Sequence, residues 1–179
     1  MVDFQAIIDK YYPEGTSSRE IYMRHAQQVT NKAIQTATVC KLDLNIDEVR
    51  AAAMLHDIGI CLTNAPSIGC NGSEPYIKHG IMGAELLRKE GCPEIYARVA
   101  ERHTGAGITI EDIDTQNLPL PRQDYCPETI LERLVCYADK FFSKTHLDRE
   151  KSVEKALKSI SKYGEEGVLR FNNWCERFL

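Results

Sequence analysis

An imidazole and a carboxylate stand side by side in the tetrapeptide His56-Asp57-Ile58-Gly59. The tetrapeptide follows a run of small and apolar residues at 51–55, which predicts a buried helix that ends near His56. The last carbonyl groups of a helix carry partial negative charge and favour a cation. Burying this pair without compensation is unfavourable, so the sequence predicts either a divalent metal or a complete set of hydrogen bonds.

Four more ionisable side chains are expected in the interior. Each is spaced from apolar residues by helical steps, so it lies on a stripe that faces the core. They are His25, His79, His103 and Asp139. An unpaired carboxylate in such a position is costly, which indicates that Asp139 needs a cation. The fifth histidine, His146, lies near the end of a predicted helix and is expected to remain outside this group.

The composition is that of an ordinary globular protein. The chain has 179 residues, of which 43% are hydrophobic and 27% are charged, and this suits one compact domain with a sizeable core. A net charge of -4 at pH 7 and a pI of about 5.8 argue against a scaffold that binds nucleic acid through a basic face. We therefore expect any recognition of phosphate to be local, and we expect no nucleic-acid partner.

The cysteines and the N-terminus indicate a cytoplasmic protein. The seven cysteines are scattered and never form a C-x-x-C pair, so they fit neither a disulfide framework nor a thiolate zinc site. Residues 1–5 lack the features of a signal peptide, and no stretch approaches the roughly 18 apolar residues of a membrane span. We expect an unprocessed, soluble protein in a reducing cytoplasm, with no membrane partner.

The elements that must position these side chains are predicted to be helices. Apolar residues recur at helical spacing and no segment alternates like a strand, so we expect an all-α fold. Ser17 with Glu20, and Asn45 with Glu48, are spaced as capping boxes at two helix starts. The predicted helices span 17–40, 45–57, 79–89, 93–103, 128–145, 148–163 and 165–178. From these segments we predict a single domain over 1–179, with a metal-binding core at about 18–145 and C-terminal helices at about 148–178.

Two long loops interrupt the predicted helices. Residues 59–76 and 105–127 are rich in proline and glycine. The first exceeds the ~12–15 residues usual for an unstructured connection, and it begins and ends beside candidate site residues. We predict that it forms a lid or substrate loop, with an ordinary surface connection as the alternative. Gly105, two residues after His103, suits a helix C-cap or a close approach of the backbone to a phosphate.

The order of the six ionisable residues resembles a known family. With Ile58-Gly59 after the His-Asp pair, the order is similar to the HDIG group of the HD-domain superfamily of metal-dependent phosphohydrolases. The segments 76–80 (YIKHG) and 102–108 (RHTGAGI) resemble the YqeK-like proteins. The resemblance covers about residues 24–140 and implies an all-α, HD-type helical bundle with metals at its centre.

Carried over by position, the resemblance implies two metal sites. One metal would be held by His25, His56, Asp57 and Asp139. The second would be held by His79 and His103, with Asp57 bridging the two ions. Asp57 would then be the catalytic residue that is hardest to replace, because it contacts both metals and orients the attacking water.

One departure from the family narrows the activity. Many members that cleave cyclic dinucleotides carry a lysine four residues after the motif histidine, where this chain has Ile60. The Gly-Tyr-Pro signature of that class is also absent. Hydrolysis of cyclic di-GMP is therefore disfavoured.

The chemistry expected of the site is hydrolysis. Imidazole and carboxylate ligands suit Fe, Mn, Ni, Co or Zn, and the sequence does not choose among them. Two such ions can activate a water and stabilise the leaving oxygen of an in-line displacement at phosphorus. We expect a phosphohydrolase that acts on a nucleotide or another small phosphate ester or anhydride, with dinucleoside polyphosphates as one specific version.

Two other functions stay open. A mononuclear nucleotide monophosphatase would use one metal and leave His79 and His103 without a ligand role. A non-catalytic regulator would keep the fold and a metal in order to bind a nucleotide or a protein partner. The complete set of ionisable residues argues against the regulator, because a retired site has no need to keep buried charges. The sequence does not predict an oligomeric state.

Four basic residues are candidate substrate contacts. Arg24, Lys78 and Arg102 each precede a candidate ligand. Lys140 follows one. A neighbour on a helix is rotated by about 100°, so these side chains could border the metal site and bind a phosphate group, or could face solvent.

Overall fold

Helices make up most of the fold in the computed structural model, which describes residues 2–179. Within these residues the chain forms nine α-helices and one antiparallel pair of short strands. The helices are α1 (Phe4–Tyr11), α2 (Ser17–Val39), α3 (Ile46–Leu55), α4 (His79–Lys89), α5 (Glu94–Arg102), α6 (Ile110–Gln116), α7 (Ile130–Asp139), α8 (Val153–Ile160) and α9 (Glu165–Phe178). The strands are β1 (Asn64–Ala65) and β2 (Cys70–Asn71). The all-α class expected from the sequence is confirmed.

None of the helices in this range combines the length and the hydrophobicity that crossing a bilayer requires.

Side-chain caps start the two helices that lead into the site. At α2 the Thr16 side chain accepts a hydrogen bond from the Arg19 N–H. At α3 the Asn45 side chain accepts hydrogen bonds from the N–H groups two and three residues further on. The cap predicted at Asn45 is therefore confirmed, whereas the cap predicted at Ser17 is wrong by one residue, because Ser17 is already helical.

The long helix α2 is the central packing element. It packs against α3 and α7, while α4 packs against α5 and against the 3-10 turn at Ile58–Leu62. Small buried residues are frequent on these helices, which lets their backbones approach closely. Fully buried examples are Ala26, Ala33, Ala53, Ala84, Ala97, Ala100 and Ala138.

An aromatic cluster fixes the C-terminal part of α7, which carries Asp139. Tyr137 stacks on Phe171 of α9 with 5.6 Å between ring centroids. Its ring also contacts Phe141 at 4.9 Å and Phe178 at 5.1 Å. The aromatic residues of α9 therefore belong to the core.

The first predicted loop is more ordered than the sequence indicates. Residues 59–76 contain parts of 3-10 turns at Ile58–Leu62, Pro66–Ile68 and Tyr76–Lys78, as well as the β1–β2 pair. Backbone hydrogen bonds within the segment close it on itself. The connection can therefore be long without leaving its backbone polar groups unpaired.

The second predicted loop contains the helix α6, so the prediction of a continuous loop over 105–127 is wrong. A capping box starts this helix: the Thr109 hydroxyl accepts from the Asp112 N–H, and the Asp112 carboxylate accepts from the Thr109 N–H at 2.8 Å. The surrounding prolines and glycines conceal this short helix in the sequence. Helix α1, capped by Asp3, was also not predicted.

The helix boundaries after Asp139 differ from the prediction. Helix α7 ends at Asp139 rather than at 145, and α8 begins five residues later than expected. The intervening chain is held in place by specific contacts: Gln28 Nε2 donates to the Leu147 carbonyl at 2.9 Å, and the Lys151 N–H donates to the Phe141 carbonyl at 2.7 Å. These long-range bonds outweigh the helical spacing of this segment.

Gly59, at the end of the His-Asp-Ile-Gly tetrapeptide, lies where two backbones meet. A Cβ added there would be 2.2 Å from the His79 carbonyl oxygen and 2.4 Å from the Gly83 nitrogen, both in α4. Only glycine fits, because neither atom can move without moving the helix. The contact places the start of α4, and with it His79, beside Asp57.

The substitution Gly59→Ala is expected to lower the free energy of unfolding by about 2–3 kcal/mol or more, because the added methyl group collides with backbone. Urea denaturation measures the loss. Gly91→Ala is the control, since its added methyl group meets nothing within 4 Å and only its φ of +72° is unfavourable. Equal losses in the two variants would contradict the close-approach explanation.

Candidate metal centre

The six ionisable residues selected from the sequence come together at the centre of the fold. They come from α2 and from the ends of four other helices. None is more than 8% exposed. The residues are His25 in α2, His56 and Asp57 after α3, His79 at the start of α4, His103 after α5 and Asp139 at the end of α7.

Three of these residues stand at helix C-termini. His56 directly follows α3, His103 directly follows α5, and Asp139 is the last residue of α7. The unpaired carbonyl groups at these ends give each a partial negative charge. Three helix ends therefore add to the attraction that the two carboxylates exert on a cation.

Four residues form what we call the first ligand group: His25, His56, Asp57 and Asp139. His25 Nε2 lies 3.1 Å from Asp57 Oδ2 and 3.0 Å from Asp139 Oδ1. His56 Nε2 lies 3.1 Å from Asp57 Oδ2 and 3.5 Å from Asp139 Oδ1. One potential ligand atom from each of the four residues lies within 4.8 Å of those of the other three.

The second ligand group consists of Asp57, His79 and His103. The other oxygen of Asp57, Oδ1, lies 3.1 Å from His103 Nε2 and 3.6 Å from His79 Nε2. The two imidazole Nε2 atoms are 3.0 Å apart. The Asp57 carboxylate thus faces both groups, one oxygen to each.

Backbone carbonyls orient three of the rings. Nδ1 of His56, His79 and His103 lies 2.6, 2.7 and 2.8 Å, respectively, from the carbonyl oxygen three residues earlier. A carbonyl oxygen only accepts, so each Nδ1 carries the proton and donates it. In the neutral ring the Nε2 lone pair therefore points into the centre, as in metal-ligating histidines whose other nitrogen is bound by a second partner.

The second ligand group has acceptors and no proton to share. Burial, with the neighbouring His103, lowers the pKa of His79 to about 3. Burial also lowers the pKa of His103, although Asp57 opposes the shift. Both rings are therefore neutral near pH 7, and their lone pairs face each other and Asp57 Oδ1. A cation between these three acceptors makes the arrangement favourable.

The first ligand group contains buried polar atoms without a hydrogen bond of acceptable geometry. They are both ring nitrogens of His25 and His56 Nε2. Burial lowers the pKa of His56, but the charge of Asp57 and the interactions with Asp139 outweigh it and raise that pKa to about 9. A divalent ion and this proton compete for the same lone pair. The orphaned atoms and the imidazole and carboxylate donors fit a divalent metal.

Two lysines add positive charge beside the buried carboxylates. Lys140 Nζ lies 2.7 Å from Asp139 Oδ2, and Lys144 Nζ lies 2.7 Å from Asp57 Oδ2. Burial raises the pKa of Asp57, but the charges of His56 and Lys144 outweigh it and hold that pKa well below its usual value. The carboxylate is therefore ionised, as a metal ligand must be.

Sequence reasoning did not identify Lys144. It lies in a segment predicted as helix, where lysine is common and needs no explanation. Because α7 ends at Asp139, the following chain turns and directs the Lys144 ammonium group to Asp57, with its side chain 17% exposed. No local sequence pattern identifies a lysine at this position, because the turn that orients its side chain depends on long-range contacts.

Of the four basic residues proposed as substrate contacts, only Lys140 borders the cavity at the centre. Arg24 is exposed. Lys78 pairs with Glu74 at 2.7 Å, and Arg102 pairs with the carboxylate of residue 128 at 2.6 Å. The placement of Arg24, Lys78 and Arg102 does not support their predicted role, because the helical rotation between neighbours turns their side chains elsewhere. His146 is exposed and lies outside both ligand groups.

A cavity of about 540 Å³ opens onto the centre. His79, His103 and Asp139 border it, together with residues 64–68 of the first predicted loop. Tyr76, at the end of the same loop, also lines the cavity and stacks on His79 with 4.7 Å between ring centroids. The prediction that this loop borders the site is confirmed. Its action as a lid stays a prediction.

The geometry agrees with a family assignment. Residues 21–143 match the HD-domain family. This chain is an HD-domain protein. The resemblance of the six residues to the HD-domain superfamily is thereby confirmed, while the phosphohydrolase activity, the HDIG group and the likeness to YqeK-like proteins stay predictions.

The chain is similar to three proteins of known sequence. It is 37% identical over 162 residues to a tRNA (cytidine(56)-2'-O)-methyltransferase of Picrophilus torridus, covering 86% of this chain and 43% of that protein. It is 32% identical over 177 residues to the protein of the same name from Thermoplasma volcanium, covering 99% and 46%. An uncharacterized protein of Methanocaldococcus jannaschii is 34% identical over 147 residues, covering 80% and 79%. The chain spans less than half the length of the two methyltransferases.

Solved structures share the fold. The HD domain of the L. monocytogenes phosphodiesterase PgpH superposes with a TM-score of 0.59 and 19% identity, covering 94% of this chain and 86% of that one. The same domain in complex with cyclic-di-AMP gives a TM-score of 0.57 and 20% identity, covering 94% and 84%. At this identity the likeness shows the HD fold alone.

Asp57→Asn is expected to remove metal from both ligand groups, because Asp57 faces both and the amide has no charge to neutralise an ion. Elemental analysis of purified, metal-saturated protein measures the loss. His103→Gln is the matched comparison, since it touches only the second group and should lose about half of the metal. Wild-type metal content in Asp57→Asn would show that this carboxylate is not a ligand.

A chelator is expected to lower the melting temperature, because ions that bind only the folded protein stabilise it by mass action. At free metal concentrations of 100 to 1,000 times the dissociation constant, the decrease should be about 5–15 °C for a chain of this size. Thermal denaturation with and without chelator measures it, and Asp57→Asn should show no such shift. An unchanged curve in wild-type protein shown to have lost its metal would mean that the ions do not link the helices.

Proposed function

We propose that this HD domain is a divalent-metal-dependent phosphohydrolase that acts on a nucleotide or another small phosphate ester or anhydride. The observation that carries the proposal is the pair of ligand groups that share Asp57 and open onto a cavity lined by lysines. The cavity volume lies within the range of ligand sites, about 300–1,000 Å³. The free thiols of the seven cysteines suit the reducing cytoplasm proposed as its location.

The proposed roles of the residues follow from their positions. The six ligands would hold two divalent ions, which supply charge stabilisation at phosphorus and a more acidic water. Asp57 would orient both groups through its two oxygens, as the residue closest to the reaction. Lys140 and Lys144 would neutralise charge that develops on the phosphoryl oxygens, since their ammonium groups lie beside the carboxylates of the centre.

The geometry of the second ligand group disfavours both alternative functions. A mononuclear monophosphatase would leave His79 and His103 as facing acceptors without a cation, which is unfavourable at their separation of 3.0 Å. A non-catalytic regulator would have no need of the complete second group. We therefore favour a dinuclear, catalytic centre.

A second candidate substrate is an RNA phosphate. Two relatives of this HD domain are named as tRNA methyltransferases, and the domain corresponds to less than half of each. A domain that accompanies a tRNA-modifying activity could act on an end or a backbone phosphate of tRNA. The acidic net charge of -4 is unfavourable for a large RNA interface, so the small-molecule substrate remains the first proposal.

A substrate panel tests the proposal. Protein loaded separately with Fe, Mn, Ni, Co or Zn is assayed for phosphate release from nucleoside mono-, di- and triphosphates, dinucleoside polyphosphates, a phosphomonoester and tRNA with terminal phosphates. At least one combination should be hydrolysed, and Asp57→Asn should lower kcat about 1,000-fold or more. Asp114→Asn, the same change at a carboxylate paired with Arg122 on the surface, should retain activity. Hydrolysis of no member by any loaded form, or full activity of Asp57→Asn, would contradict the proposal.

A further inference from the structure

More lysine side chains border the cavity at the metal centre than form ion pairs with the carboxylates of that centre. Its ionisable lining, apart from the histidines and Tyr76, is Lys140, Lys144, Lys151, Lys162 and Asp139. Lys140 and Lys144 form ion pairs with the carboxylates of the centre. Within residues 2–179 no carboxylate forms an ion pair with Lys151 or Lys162. The ammonium groups of Lys151 and Lys162 therefore border the cavity without a carboxylate that neutralises them.

The surroundings of Lys151 show that these charges act on one another. Burial lowers the pKa of Lys151, and the charges of the three other cavity lysines lower it further, although Asp139 opposes them. Its ammonium group donates only a long hydrogen bond, 3.4 Å, to the Phe142 carbonyl. A group of like charges at the edge of a cavity is relieved by an anion.

The two lysines are carried by fixed elements. The Lys151 N–H donates to the Phe141 carbonyl at 2.7 Å, which ties the start of this segment to the chain just after α7. Lys162 lies in the 3-10 turn Ser161–Tyr163 that follows α8. The two lysines therefore border the cavity from the two ends of α8.

We propose that Lys151 and Lys162 form a subsite for a second phosphate group of the substrate, next to the phosphate that reacts at the metal centre. The inference rests on the proposed function and narrows its substrate class to molecules with at least two phosphate groups, in a phosphate chain or an oligonucleotide backbone. The phosphate that reacts would already lie beside Lys140, Lys144 and the metal centre, so it would not need the positive charges of Lys151 and Lys162. A second phosphate group of the substrate would need them.

Binding measurements test the subsite without relying on turnover. Metal-loaded protein is titrated by calorimetry with inorganic phosphate and with imidodiphosphate, a non-hydrolysable compound with two phosphate groups. Imidodiphosphate should bind about 10-fold or more tightly than phosphate. Lys162→Met should weaken imidodiphosphate about 5- to 10-fold and phosphate less than about twofold, and Lys151→Met should act in the same direction. Metal content is measured after each titration.

A lysine of α8, the helix that lies between Lys151 and Lys162 in the chain, provides the matched control. Lys155 of α8 is exposed and does not border the cavity, so Lys155→Met removes the same charge without touching the subsite. It should change neither affinity by more than about twofold, because an exposed charge away from the ligand is largely screened. Lys162 is also exposed, so its replacement is not expected to disturb folding.

Three results would overturn the subsite. They are equal binding of phosphate and imidodiphosphate by the wild-type protein, equal weakening of both by Lys162→Met, and an equal effect of Lys155→Met. Titration with ADP and with a 5'-phosphorylated dinucleotide separates the two sources of a second phosphate. A Lys162-dependent loss for either ligand supports the subsite and assigns its source, and a loss for neither overturns it.

The two proposals fail separately. Protein that binds imidodiphosphate through Lys162 but hydrolyses no member of the substrate panel keeps the subsite and loses the phosphohydrolase function. Protein that hydrolyses panel members with two or more phosphate groups, with the same kcat/KM in the wild type and in Lys162→Met, keeps the function and loses the subsite.

Discussion

Two carboxylates and four imidazoles share one interior volume, and this concentration of acceptors is the constraint on which the rest of the fold depends. None of the six is more than 8% exposed, so bulk water solvates them poorly. An unpaired buried charge is among the most unfavourable features a protein can have. The structure answers with positive charge: the ammonium groups of Lys140 and Lys144 lie at the carboxylates, and two sets of converging lone pairs remain for cations.

Close helix packing makes this convergence possible. The ligands come from five different helices or their ends, so their side chains meet only if the backbones approach one another. Alanines supply that approach inside α2, α3, α5 and α7, and glycine supplies it where the turn after α3 touches α4. The aromatic cluster under α7 holds the remaining ligand, Asp139, from the opposite side of that helix. Packing and chemistry therefore constrain the same residues.

The ligand set could be predicted from the sequence because each member breaks a simple rule. A histidine or aspartate on an apolar stripe of a helix is unusual, and six such residues in one chain have few explanations other than a metal site. The helices that carry them were also predictable, since long periodic segments give a strong signal. The capping pair at Thr109 and Asp112 was equally readable, but the prolines around it outweighed it.

The elements that were missed depend on contacts between distant residues. The end of α7 at Asp139 has no breaker residue, because the chain leaves the helix to reach α2 and to close on Phe141. The position of Lys144 follows from that turn, so no local pattern could give it. The same holds for Arg24, Lys78 and Arg102, whose neighbours in sequence are candidate ligands but whose side chains turn away. Sequence adjacency is a poor guide to a site when successive helical side chains diverge by about 100°.

The sharing of one carboxylate between two ligand groups has a thermodynamic consequence. An ion held by Asp57 Oδ2 would draw electron density from the whole carboxylate and so weaken Oδ1 as a donor, while two like charges a few ångströms apart repel each other. Occupancy of the two groups would then be linked, with each ion lowering the affinity for the other by the same factor. Such negative cooperativity would leave the second position weakly held and exchangeable, so that at limiting metal the protein would populate a singly loaded form.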